Sequence, residues 1–85
     1  MGRLYSGNLN AFKAACNRLY QLDFAVITHE YQDCTTMQDC IRLRVEDRAG
    51  NTFARETFCN HDTNILFITA TSFLNNLADQ LDTWR

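Results

Sequence analysis

From Cys40 to Glu46, apolar Ile41, Leu43 and Val45 alternate with Arg42, Arg44 and Glu46. That is the period of a strand buried on one face only. Asp47-Arg48-Ala49-Gly50-Asn51 then supplies a turn, with Gly50 where a three-residue hairpin loop requires a positive φ. A second strand runs on to Cys59. Setting Asp47 against Asn51 pairs Val45 with Phe53 and Arg42 with Glu56, contacts that favour this register. Its flaw is Arg55, which it turns toward the core; the alternative register would turn Glu56 inward instead. In either register, one charge has to escape at the sheet margin.

Upstream, residues 1–7 hold two of the three glycines and read as a flexible lead-in. Asn8 is placed to cap a helix from about Leu9 to Gln21, whose apolar stripe is Leu9, Phe12, Ala15, Cys16, Leu19 and Tyr20. Phe24 to Tyr31 follows as a strand, apolar on both faces in its first half, and Gln32 to Asp39 as a polar loop. Downstream, Asn60 to Asn64 is a second cluster of turn-formers. Ile65-Leu66-Phe67-Ile68 reads as a short buried strand, or else as the opening of the last helix. From Ala70 the period changes, and Phe73, Leu74, Leu77, Ala78, Leu81 and Trp84 share one helical face, with Thr69 or Thr71 as cap.

The pattern predicts an α+β fold: an antiparallel β-meander of four strands, or three if Ile65 to Ile68 is helical. An N-terminal and a C-terminal helix pack on one of its faces. With 85 residues the chain forms a single domain. The other sheet face is left without cover. In a four-stranded meander the edges would be the two strands that are apolar on both sides. Such edges call for a partner, either a second copy in a homodimer or another protein.

Composition changes this picture little. A hydrophobic content of 46 % is ample for a core, and a net charge of -2 offers no general attraction to nucleic acid or anionic membrane. No apolar run is long enough to span a bilayer, and there is no export signal. The expected compartment is therefore the cytoplasm, with all four cysteines reduced.

Three chemistries have candidate residues. The hairpin brings Cys40 and Cys59 to one end of the sheet, near Cys34 and His61, and three thiolates with an imidazole are a valid zinc set. The spacings lack the two-residue knuckle of most structural zinc sites, and small thiols beside a turn histidine are the simpler reading. For nucleophilic catalysis there are cysteines and two histidines, without an elbow motif or a domain large enough for a deep cleft, so no enzymatic activity and no cofactor are expected. For RNA, Arg42, Arg44 and Phe58 could share the uncovered face as a stacking platform. Helix, three strands, helix is also the order of the double-stranded-RNA-binding domain, whose last helix opens on lysines. Here that region is Thr69-Ala70-Thr71-Ser72, and acidic residues interleave with the arginines.

The favoured reading is a small non-enzymatic protein-binding module, an inhibitor or adaptor of a larger machinery. It would act through the uncovered face with Arg42, Arg44, Glu56 and Phe58. Arginine and aromatic side chains are types enriched at binding hot spots. In size, acidity and fold type the chain is similar to phage-encoded inhibitors of host machinery, anti-CRISPR proteins included, an analogy without any shared motif. A zinc-stapled module on Cys34, Cys40, Cys59 and His61 is the first alternative, and RNA binding on the arginine face the second.

Overall fold

The computed structural model describes residues 4–83, in the order α1 (Ser6–Gln21), β1 (Ala25–Gln32), β2 (Asp39–Glu46), β3 (Thr52–Asn60), α2 (Thr63–Thr83). The three strands form an antiparallel meander with β2 in the centre. Both helices lie on the same side of it and run in the same direction. Their first turns are tied together where the Tyr5 amide and the Asn8 side-chain amide both donate to Asn64 Oδ1, at 2.7 and 2.9 Å. Further along, Arg18 on α1 reaches Asn75 and pairs with Asp79 on α2.

Between helices and sheet lies one core. Ile41, Leu43 and Val45 of β2 are fully buried against Phe12, Ala15 and Leu19 of α1 and Leu66, Phe67, Ala70, Leu74, Ala78 and Leu81 of α2. Phe12 and Phe67 meet edge to face, with centroids 5.2 Å apart. α1 starts at Ser6, within the stretch expected as a lead-in, of which residues 1–3 lie outside the described residues. Asn8 therefore sits inside the helix, joining it to α2 rather than capping it. Tyr20, placed by periodicity on the apolar stripe, is 69 % exposed. The helix closes with Asp23 in the left-handed region at φ 73°, the Phe24 amide donating back to the Leu19 carbonyl and the Asp23 amide to the Tyr20 carbonyl.

A fourth strand is not formed: Ile65 to Ile68 are the first turns of α2. Asp62 decides it. Its carboxylate accepts from the amides of Asn64 and Ile65, at 2.8 and 3.3 Å, which satisfies donors a helix start would otherwise leave open. Within the run, Leu66 and Phe67 turn into the core while Ile65 and Ile68 stay about half exposed. Thr69 and Thr71 are not caps; their hydroxyls donate to carbonyls one turn back, those of Ile65 and Phe67. Trp84, expected on the buried stripe, lies outside the described residues. With the fourth strand goes half of the argument for a homodimer, which rested on two edge strands apolar on both sides.

The hairpin turn forms as its residues require. Gly50 takes φ 85°, the Asp47 amide donates to the Asn51 carbonyl at 3.0 Å, and Asp47 Oδ1 accepts from the amides of Ala49 and Asn51. The register then departs from expectation. Glu46 still faces Thr52, but a bulge follows and Val45 faces Ala54, Leu43 faces Glu56 and Ile41 faces Phe58. Phe53 is the residue left over, and its ring packs on Phe24 with centroids 5.0 Å apart. One extra residue reverses the faces of all that follows in β3. Arg55 leaves the core side, and Glu56 takes its place there, exposed at the edge of the sheet.

Cys40 and Cys59 stand directly opposite each other with Cα atoms 4.1 Å apart, and their sulfurs are joined as a disulfide. The expectation of four reduced thiols is corrected for this pair. Register is the reason: the closely spaced pairs of an antiparallel ladder bring two cysteine side chains within bonding reach. Cys16 and Cys34 remain free.

Candidate protein-binding face

The side of the sheet away from the helices is built by strand parity. β2 sends Arg42 and Arg44 to it, together with Glu46. Across the β1 ladder, Ile27 faces Arg44, His29 faces Arg42 and Tyr31 faces Cys40. Across the β3 ladder, Arg55 faces Arg44 and Thr57 faces Arg42. Ile27, His29, Arg42, Arg44 and Arg55 line one shallow concavity of about 320 Å³. Arg42, Arg44 and Arg55 are all exposed.

Each arginine has a different setting. Arg42 lies 5.5 Å from the centroid of the Tyr31 ring, itself stacked on His29 at 5.6 Å. Arg44 donates through Nε to Glu46 Oε2 at 3.0 Å, on the same face and strand. Its cross-strand neighbour is another cation, Arg55, and like charges directly opposite each other weaken a sheet. No carboxylate pairs with Arg42 or Arg55 among the described residues.

Of the four residues expected on this face, the structure brings Arg42 and Arg44 together and places the other two elsewhere. Phe58 is half-buried on the helix side, its ring edge-on to Phe73 at 5.7 Å. Glu56 is on that side too, opposite Leu43. The bulge is the cause in both cases. Sequence reasoning missed Arg55, assigned inward by the unbulged register, and missed Ile27, His29 and Tyr31, which reach the face from β1. The signal for Arg55 was its own misfit, a guanidinium assigned to the core side.

The zinc alternative does not survive the geometry. Cys40 and Cys59 are bonded to each other, and among the described residues no three His, Cys, Asp or Glu side chains come together to hold a metal. Cys34 is exposed in the loop between β1 and β2. Cys16 sits half-buried on α1, where desolvation pushes its thiol above the ordinary range and disfavours a reactive thiolate. As for RNA, the opening of α2 from Thr63 to Ser72 carries no basic residue.

A meander with two helices on one side and a bare, arginine-rich face on the other defines a small binding module, one that offers a surface rather than a cleft. The chain belongs to the family described as Bacteriophage T7-like, gene 1.2, whose model matches residues 1–85. It is 56 % identical over 85 residues to a protein of Escherichia phage T7 named "Inhibitor of dGTPase", with 100 % of both chains covered. It is also 32 % identical over 90 aligned positions to the "Gene 1.2 protein" of Enterobacteria phage T3, covering 100 % of this chain and 98 % of the relative. The T7 relative is named for regulating an enzyme rather than for being one, in line with the non-enzymatic chain expected here. Neither relative's name lends support to zinc or RNA binding.

Proposed function

We propose that this chain inhibits a dGTPase by binding it, with the open sheet face around Arg42 and Arg44 as the contact surface. The observation that carries the reading is the 56 % identity to the T7 inhibitor over the full length of both chains, which takes in all three strands that build the face. The geometry supports a surface-binding mode: the face is broad and shallow and presents arginine and tyrosine, residue types that dominate interface energetics. An inhibitor of this kind acts stoichiometrically, by occupying the enzyme, and has no turnover of its own. The substrate of such a target is an intracellular nucleotide, which keeps the cytoplasm as the compartment we propose.

Titrating the purified chain into an Escherichia dGTPase tests this, with dGTP hydrolysis as the readout. Activity is expected to fall in proportion to the chain added and to level off at a fixed ratio of the two proteins, and the two are expected to co-elute on size exclusion. Full activity in excess chain, with separate elution, would sink the proposal.

A further inference from the structure

The geometry points to the concavity between Arg42, Arg44 and Arg55 as a receptor for the carboxylates of a short acidic segment of the partner protein, with Glu46 as a built-in competitor for Arg44. This deepens the dGTPase reading above and rests on it for the partner's identity. Three guanidiniums line the same hollow in a chain whose net charge is -2, so the cationic character is local to this face. Two of them, Arg42 and Arg55, have no carboxylate of their own among the described residues, and the third shares Glu46 at 3.0 Å. Arg44 and Arg55 stand on opposing positions of the ladder, an arrangement unfavourable in the free sheet and relieved when an anion sits between them. A carboxylate matches the forked donors of a guanidinium, and a segment carrying two or three of them satisfies the set.

Why a short protein segment, and not a nucleic acid? The face carries a carboxylate of its own, Glu46 beside Arg44. A long polyanion laid over the face would run past it, whereas a loop bearing a few carboxylates need not. Ile27, 40 % exposed at the rim of the hollow, adds an apolar contact that a phosphate backbone could not use and a peptide side chain could.

Glu46 gives the inference its sharpest consequence. If a partner carboxylate takes Arg44, the ion pair with Glu46 has to be shared or broken. Removing the competitor by Glu46→Gln is then expected to tighten binding roughly two- to fivefold, the range that an exposed ion pair allows. Charge reversal by Arg42→Glu or Arg55→Glu is expected to weaken it by about tenfold or more, and Arg55→Lys by less.

The experiment measures affinity of the full-length chain and these variants for an Escherichia dGTPase by calorimetry at two salt concentrations, with circular dichroism to establish that each variant is folded. In parallel, direct binding of a six-residue glutamate peptide is compared with that of an oligonucleotide of equal charge. Losses in both reversals, a gain in Glu46→Gln and preference for the peptide support the inference. If wild-type chain inhibits and the folded reversals inhibit equally well, the receptor is wrong while the dGTPase reading stands. If wild-type chain binds no dGTPase yet takes the peptide through these arginines, the partner is wrong and the receptor stands. Tighter binding of the oligonucleotide overturns the inference in favour of nucleic acid.

Discussion

On one side of β2, Ile41, Leu43 and Val45 have no exposed surface at all; on the other, one residue along in each case, Arg42 and Arg44 stand in solvent. The two faces share a backbone, a ladder and a turn, yet they answer to different demands. The covered face is arranged for burial: branched aliphatics meet leucines and alanines of both helices. The open face contains an arrangement that works against the fold, Arg44 opposite Arg55, with only Glu46 to offset it. Where a small domain carries a local conflict that packing does not require, the conflict points to a job done elsewhere, and the job proposed above is contact with a partner. On the function proposed above, the covered face sets how stable the chain is and the open face what it recognises, and substitutions can test how separate the two are.

The largest effect belongs to the covered face. Leu43 sits at the centre of the central strand with no exposure, and Leu43→Ala is expected to cost about 2–5 kcal/mol through lost transfer energy and an incompletely filled cavity. In a chain of 85 residues that is a large share of the total stability. Urea unfolding followed by circular dichroism measures it. A cost below about 1 kcal/mol would mean that the core collapses around the gap, contrary to the complete burial of this side chain.

Next comes the one place where the open face is closed. Cys40 shares the parity of Arg42 and Arg44 yet is 1 % exposed, bonded to Cys59 across the ladder and beside Tyr31. A crosslink between positions 19 residues apart restricts the unfolded chain by about 3 kcal/mol in the loop-entropy account. Reductant is therefore expected to lower the melting temperature of the wild-type chain by roughly 10–20 °C and to leave a Cys59→Ser variant, already lower, where it is. A wild-type melt indifferent to reductant would restore the reading of four cysteines without a stabilising bond, as a cytoplasmic setting suggests.

The same contrast explains what could be read from the sequence. Alternation in β2 and the Asp47 to Asn51 turn are local signals, and both strand and turn form as read. The helical stripes of α1 and α2 were legible for the same reason, because burial on a helix repeats every three or four residues. Ile65 to Ile68 was not, since four apolar residues in a row fit either period and the decision lay with the carboxylate of Asp62, three residues upstream of the run. The face itself was half legible. Arg42 and Arg44 follow from β2 alone, but Arg55 and Phe58 depend on whether Phe53 is counted in the ladder. That depends on a tertiary contact, the packing of Phe53 on Phe24, with no local sequence mark. One bulged residue exchanged an aromatic for an arginine on the candidate surface.

The smallest expected effect separates the two faces most sharply. Arg55→Thr removes one of the two opposed cations and places a β-branched residue on an edge strand, next to Thr57 on the same face. Relief of the like-charge pair is worth a few tenths of a kcal/mol, so the variant is expected to be as stable as wild type or more stable by up to about 0.5 kcal/mol. The same substitution takes a guanidinium from the proposed contact surface, and inhibition of a dGTPase is expected to weaken. Fold and recognition would then move in opposite directions from a single side chain, a result that neither a purely structural arginine nor an inert surface position can give. A loss of more than about 1 kcal/mol in urea unfolding would place Arg55 among the residues that hold the sheet together, because exposed positions without a packing role stay within about 0.5 kcal/mol.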